Sequence, residues 1–519
     1  MDGIINHRKV SPAWILGISL SLVILNFLWQ GHDGFNLWDE GYLWYGARQI
    51  NAGEIPLRDF MAYDPGRYYW SAAFLALSND DGIIALRVSV AVFQIFGLWA
   101  GLWTIAHNLK WPRPQQFVFL CIAAIALMAW MYPRHKIFDI SISMIIIGVL
   151  TYMLDRPDRG RCFVVGLTVG LAAVFGRNHG VYGAIASMLA IAWLSAANWK
   201  TGEIRRRLAA WAAGVFVGFL PVLLMCLITP GYMSAFLDSI LFMLQQGNTN
   251  LPLPVPWPWT VGWGTAGHVV EARWFLIGLC FITLIVFGAV SLIWVFRARI
   301  KGLKTQPSLV AVACAALPYS HYAFARADVG HLAQGIYPLL LGALLIAAAL
   351  RHKAASMVTA VVTAWVSMFI LAAWQPGWLA RTQIGWEKIN VGQSYLRMDP
   401  STAGAVKLLR TLTAEYAPDG RSVLVLPFWP GAYPLLGRHA PVWEIYALSP
   451  RSDDFQRQEI ERIRDANPGF VFVFDMAMDG REALRFSNSH KLINEYIIQN
   501  FIQTNSSSDP AYKIYKARN

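Results

Sequence analysis

Charge is scarce in this 519-residue chain: Asp, Glu, Lys and Arg together make up 14% of it, against 56% hydrophobic residues. That balance excludes an ordinary soluble protein, because repeated apolar runs of about twenty residues match the hydrocarbon thickness of a bilayer once helical. Acidic residues are the scarcer sign, 31 against 43 Lys and Arg, for a net charge of +12. In a soluble protein that excess would raise nucleic acid as a partner. Here it lies mostly in short connections between apolar runs, where the positive-inside rule accounts for it, so no nucleic acid is expected. Cysteine is sparse too. All five (Cys121, Cys162, Cys226, Cys280 and Cys314) fall in or beside apolar runs without a CxxC spacing, which excludes a zinc site or a disulfide framework and leaves small buried hydrophobes. A small-residue cleavage site is missing after the first apolar run, so that run reads as an uncleaved spanning helix rather than a signal peptide.

What is there is a polytopic α-helical membrane protein of about eleven transmembrane helices, with a small C-terminal extracytoplasmic α/β domain. The apolar runs predict helices near 12–30, 83–107, 115–132, 138–154, 162–177, 180–197, 209–229, 273–296, 308–325, 333–350 and 354–374. Every second connection is basic: Arg8 and Lys9; Lys110 and Arg113; Arg156, Arg159 and Arg161; Lys200 and Arg205 to Arg207; Arg297, Arg299, Lys301 and Lys304; Arg351 and Lys353. This alternation predicts a cytoplasmic N-terminus and an odd count of spans, so everything after Trp374 lies on the opposite, periplasmic side of a bacterial inner membrane. Residues 1–374 are thus read as a transmembrane catalytic domain and 375–519 as a periplasmic domain.

The outward connections have a different chemistry. They are the first loop (31–82), YPRHKIF (132–138), GRNHG (176–180), a long lid-like segment (230–272), FARADVGHL (324–332) and the C-terminal region. Their charges are interleaved with His, Asn and aromatic residues, and together they predict one cavity at the outer membrane boundary. In the first loop, 37–52 reads as an amphipathic juxtamembrane helix ended by Gly53. Asp64-Pro65-Gly66 reads as a second helix start, with Asp64 at the cap and Pro65 at the first helical position. In the lid, LPLPVPWPWT (251–260) has proline at alternate positions and excludes a regular helix there. Beyond Gln375, SVLVLPF (422–428) and GFVFVFD (469–475) read as buried strands, 453–466 as a helix, 480–501 as a helix broken near 487–489, and 512–516 as an edge strand. The C-terminal domain shows no nucleophile and no Gly-rich nucleotide loop.

Trp38-Asp39-Glu40-Gly41 after the first helix, Pro56-Leu57-Arg58-Asp59-Phe60, Asp64-Pro65-Gly66-Arg67-Tyr68-Tyr69, the late Arg326-Ala327-Asp328 with His331, and the C-terminal domain resemble the GT-C superfamily of polyprenyl-phosphate-sugar-dependent glycosyltransferases. Protein O-mannosyltransferases and the lipid A aminoarabinose transferase are the relatives in view. The resemblance spans the whole chain in architecture, with a departure at Asp64-Pro65-Gly66, where many relatives carry paired prolines. It implies a sugar on a polyprenyl phosphate as donor, and attack on the anomeric carbon by a hydroxyl of a cell-envelope acceptor: a lipid-linked glycan, a polysaccharide or a protein. The acidic residue of the first outer loop serves as base in this family. By position that is Asp39, with Glu40 as neighbour or alternate.

Such a displacement needs a carboxylate to take the acceptor's proton and cations to stabilise the leaving phosphate. The candidate phosphate ligands are Arg326, Arg134, Lys136, Arg67 and Arg177. A wider pocket set is Tyr42, Arg58, Asp59, Asp64, Tyr68, His135, His179, Asp328 and His331. The three histidines lack ligand spacing in sequence, so no metal cofactor is required, a divalent cation being the open alternative. The rival readings are a surface-polysaccharide polymerase or ligase, and a transporter. A transporter predicts Gly/Pro-broken helices in matched halves, and no such repeat is seen.

Overall fold

A computed structural model describes residues 11–107, 109, 111–196, 201–247, 250–504 and 509–518. Arg8, Lys9, Lys110 and Lys200, used above to orient the chain, lie outside them. The helices in chain order are α1 (Pro12–Gln30), α2 (Asp39–Asn51), α3 (Gly66–Ser78), α4 (Ile83–Ala106), α5 (Arg113–Ala129), α6 (Ile137–Asp155), α7 (Arg159–Phe175), α8 (Arg177–Ser195), α9 (Thr201–Ile228), α10 (Tyr232–Gln246), α11 (His268–Ile300), α12 (Pro307–Ala325), α13 (Val329–Gly335), α14 (Tyr337–Ala349), α15 (Lys353–Leu371) and α16 (Pro376–Thr382).

Each of the eleven predicted apolar helices has a counterpart, but fewer qualify as spans. Among the described residues, seven are long and apolar enough to cross a membrane: α1, α4, α6 with the turn before it, α9, α11, α12 and α15. The pair α13 and α14 adds an eighth if counted together, bent by 55°. The single helix expected over 333–350 is broken here because Pro338 sits in the first turn of α14, without an amide to continue the ladder. α5 and α7 are 17 residues long, and α8 opens on Arg177, Asn178 and His179, which lowers its apolar content. By length and composition the chain is a multi-pass membrane protein.

Packing divides it into two compact units. The first comprises Met1–Trp29, Val90–Met233 and Leu237–Leu379. Within it α12 is buried along most of its length, with α6, α8, α11 and α14 as neighbours. α7 and α9 cross at backbone contact. A Cβ added to Gly166 or Gly170 would overlap the carbonyls of Trp211 and Val215, and one on Gly214 or Gly218 those of Phe163 and Leu167. Both helices therefore carry a small-xxx-small pair, the pattern that brings membrane helices together without a hydrophobic driving force. On other faces large side chains stand open, among them Leu227 and Ile228 of α9, Val290 and Ile293 of α11 and Trp365 of α15. A lipid environment suits such faces, and water does not.

The lid differs from its expected irregularity. Residues 232–246 form α10, an amphipathic stretch stopped by Gly247 in the left-handed region (φ 67°). Only the proline-rich part that follows is irregular, with one 3-10 turn at Pro258–Thr260. The connection GRNHG is likewise almost no loop, since Gly176 alone separates α7 from α8.

The second unit comprises Gln30–Ser89, Ser234–Phe236 and Ala380–Asn519. The first loop thus packs with the C-terminal region, whereas the sequence boundary at 374 puts it with the helical bundle. Its C-terminal elements are β1 (Glu387–Val391) and β2 (Ser394–Met398), an antiparallel hairpin, then α17 (Pro400–Tyr416), β3 (Val423–Leu426), α18 (Ala432–Leu436), α19 (Asp453–Ala466), β4 (Phe470–Phe474), α20 (Phe486–Ser489), α21 (Lys491–Asn500), β5 (Phe501–Thr504) and β6 (Tyr512–Ala517). The sheet order is β3-β4-β6-β5, with β3 and β4 parallel and the remaining pairs antiparallel. β3 is buried throughout and β4 nearly so, as their unbroken apolar sequences require. The strand expected at the edge, β6, is interior, and β5 takes the edge. α2 is not amphipathic in use: nine of its residues, Glu40 to Ala47 and Gln49, are buried. The N-cap position of α3 falls on Pro65, one residue beyond the Asp64 expected there.

Candidate active site

In the second unit, Asp39 opens α2 with its backbone amide donating to Asn36 Oδ1 at 2.8 Å. Its side chain is half-buried. The Tyr446 hydroxyl donates to Asp39 Oδ1 at 2.8 Å. Tyr446 stacks on Tyr42 with ring centres 5.0 Å apart, and Tyr42 meets Tyr63 and Tyr68 edge-on at 4.9 and 6.2 Å. The amide of Tyr63 donates to the Tyr68 hydroxyl at 3.1 Å. The buried Arg67 guanidinium lies 5.1 Å from the centre of the Tyr63 ring, within cation–π range. Burial pushes the hydroxyls of Tyr42, Tyr68 and Tyr446 well above the usual tyrosine value, so Tyr446 keeps its proton and acts as donor.

Glu40 has a different setting. It is 5% exposed and takes two bonds of 2.8 Å from Arg87 Nε and Nη2, while the same guanidinium donates to the carbonyls of Gly31 and Gly34 at 2.7 Å. Arg48, further along α2, pairs with Asp81 at 2.6 Å. Arg58 and Asp59 pair with one another through two bonds of 2.8 Å, and Asp59 also accepts from the Ile55 amide. The Arg58 hydrogen bonds hold the Asp59 carboxyl below its usual range, against its burial. Asp64 is buried beside Arg67 in sequence. Of the residues expected in this loop, the structure joins Asp39, Tyr42, Tyr68 and Arg67 through Tyr63 and Tyr446, and sets Glu40, Arg58 and Asp59 in ion pairs of their own.

In the first unit the late motif is one hydrogen-bonded set. Arg326 Nε donates to Asp328 Oδ2 at 2.9 Å and its Nη1 to the Leu251 carbonyl at 3.0 Å. Asp328 Oδ1 accepts from the His331 amide and from its Nδ1, both at 2.8 Å. Nε2 is then left to accept from the Asn250 amide at 2.6 Å. Burial pushes the Asp328 carboxyl up, but His331 and Arg326 more than offset it and hold it at about 2. This motif therefore ties the end of the lid to the start of α13. Arg134, His135 and Lys136 share one 3-10 turn at the start of α6, with His135 buried. Arg177 donates to Ser239 of α10 at 2.9 Å.

His179 is wholly buried, with Nε2 3.0 Å from Asp139 Oδ1 and 3.2 Å from the Tyr322 hydroxyl, and Nδ1 3.2 Å from the Tyr319 hydroxyl. The described residues hold no cluster of three His, Cys, Asp or Glu side chains suited to a metal. In the lid, a hollow of about 220 Å³ is lined by Pro256, Thr260, Thr265, Glu271 and Trp274 among others, with Glu271 Oε1 accepting from the Ala266 amide at 3.0 Å. Sequence reasoning missed Tyr446, Tyr63, Asp139, Tyr319 and Tyr322. Asp139 had a usable signal, a carboxylate opening an apolar run. Tyr446 had none, lying in a loop with no motif.

No family model matches the sequence, and neither does any curated protein. Solved structures do match. ArnT from Cupriavidus metallidurans in the apo state is similar over 97% of both chains at 12% identity, with a TM-score of 0.50. The same protein bound to undecaprenyl phosphate is similar over 98% of both chains at 13% identity and a TM-score of 0.49. The oligosaccharyltransferase AglB from Archaeoglobus fulgidus, in complex with an inhibitory peptide and a dolichol-phosphate, is similar over 97% of this chain and 74% of its own at 10% identity and 0.49. The likeness to apo ArnT covers bundle and C-terminal region alike, and the chain accordingly has the fold of that structure.

Proposed function

We propose that this protein is an inverting glycosyltransferase that moves a sugar from a polyprenyl-phosphate donor to a hydroxyl of a cell-envelope acceptor. The reaction takes place at the outer face of a bacterial inner membrane, with the N-terminus cytoplasmic and the C-terminal region periplasmic. The observation that carries this reading is a half-buried carboxylate, Asp39, held at the start of α2 by a tyrosine hydroxyl in a chain with the fold of ArnT. ArnT has also been solved bound to undecaprenyl phosphate, which supports a donor of that chemistry.

In the proposed step the acceptor oxygen bonds to the anomeric carbon, the bond from that carbon to the lipid phosphate oxygen breaks, and its electron pair leaves with the phosphate. Asp39 takes the hydroxyl proton. Glu40 is charge-paired to Arg87 on both oxygens, which favours Asp39 over it as the base. Arg134 and Lys136 on one turn, with Arg326, Arg177 and Arg67, are the proposed cations for the leaving phosphate, Arg offering the planar fork that phosphate oxygens fit. The test is transfer from undecaprenyl-phosphate-linked, tritium-labelled hexoses and pentoses into native membrane acceptors by the full chain in membranes. Asp39→Asn is expected to lower transfer by about 10²–10⁴ while leaving the melting temperature unchanged. Retained transfer in that variant would overturn the assignment.

A further inference from the structure

Resting on that reading, we infer that the C-terminal region supplies a positioning residue to the base: Tyr446, whose hydroxyl fixes one oxygen of Asp39. The segment carrying it is built into the second unit from both sides. Toward the first loop, the Trp443 carbonyl accepts from the Met61 amide at 2.9 Å, and the Trp443 indole donates to the Leu57 carbonyl at 3.1 Å. Toward the C-terminal core, Glu444 accepts from Arg451 at 2.5 Å and lies 3.0 Å from His490 Nε2, and the Trp443 amide donates to Glu459 at 2.9 Å. The Ala447 amide donates to the Pro427 carbonyl at 2.8 Å. Between these anchors Tyr446 has one orientation, stacked on Tyr42 and bonded to Asp39. A buried tyrosine hydroxyl needs a partner, and a base needs one lone pair aimed at its substrate. This contact meets both needs, since it holds Oδ1 and so sets the direction of the rest of the carboxylate.

The consequence reaches the proton chemistry. A carboxylate fixed before the acceptor arrives needs no reorientation at the moment it takes the proton. The other titratable and charged groups on the elements packed around it are Glu40 with Arg87, Tyr42, Tyr63, Arg67 and Tyr68 on the loop side, and Glu444 with Arg451 and His490 on the C-terminal side. Tyr42 and Tyr68 are buried and neutral, Tyr63 is half-buried, and the two glutamates are already ion-paired. Tyr446→Phe removes the hydroxyl and keeps the ring stacked.

The experiment compares the full chain, Tyr446→Phe and Asp39→Asn in membranes, using the labelled undecaprenyl-phosphate sugars. Tyr446→Phe is expected to lower kcat about tenfold or more with little change in KM. Without turnover, the infrared carboxylate band that Asp39→Asn abolishes is expected to change frequency in Tyr446→Phe, because one oxygen loses its hydrogen bond. An unchanged kcat and an unmoved band in a folded Tyr446→Phe protein would overturn the inference. Full activity in Asp39→Asn would instead overturn the base assignment on which it rests.

Discussion

Asp39 and Glu40 are adjacent in sequence and opposite in fate, because consecutive residues on a helix point about 100° apart. Glu40 turns into the packing and meets Arg87, while Asp39 turns to Tyr446. The buried pair makes a sharp expectation. Arg87→Met strands the Glu40 carboxylate and frees two carbonyls, and should cost about 3–5 kcal/mol of stability, read as a lowered melting temperature in detergent. Adding Glu40→Leu should recover most of that loss but not all, since the carbonyls of Gly31 and Gly34 stay unmatched. At this scale the sequence was a good guide to residue type and a poor one to partner. Arg87 stands out as a cation in an apolar run, yet nothing local pairs it with Glu40, 47 positions away. The Arg326, Asp328 and His331 set was easier, since its members are at most five residues apart and the loop closes on itself.

Elements were legible where one force dominates. Apolar length marks the bundle helices, and uninterrupted β-branched and aromatic runs mark β3 and β4. Elements that depend on partners were not. The β1–β2 hairpin and α17 lack a strong local pattern, α2 reads as one-sided although it is enclosed, and β6 was placed at the edge because β5 was not seen to cover it. The crossing of α7 and α9 belongs to this scale as well. Their four glycines allow backbone contact, so Gly170→Leu or Gly218→Leu must push the helices apart, at a cost of at least about 1–3 kcal/mol. Thermal melting in detergent checks this, with Gly202→Ala near the start of α9 as the control, since a methyl there meets nothing within 4 Å and should leave stability unchanged or slightly raised.

Across the molecule as a whole, the least legible feature was which distant segments share a unit. Composition changes at residue 374, and a boundary drawn there follows polarity. Packing follows contact instead, and puts residues 30–89 with 380–519. The joins are specific: Asp33 accepts from both Arg381 and Arg397, the Gly431 amide donates to the Leu37 carbonyl at 2.8 Å, and His439 Nε2 meets Glu54 at 2.5 Å. The hydrogen bond to Glu54 raises the His439 pKa, against its partial burial. A raised histidine contributes stability that is fully present below its unfolded value, about 6.5, and lost as pH rises through the higher folded value. The melting temperature of the full chain should therefore fall modestly above pH 6.5, and His439→Gln should flatten that slope. The effect is small because the imidazole is more than half exposed.

At Gly41 and Gly431 two backbones touch with no room for a methyl on either, although the two stand far apart in sequence. A ribosome delivers the first long before the second. Until the later stretch has been made and has folded back, the turn that opens with Asp39 lacks both this backbone contact and the Tyr446 hydroxyl, so its surroundings are completed by residues added hundreds of positions downstream.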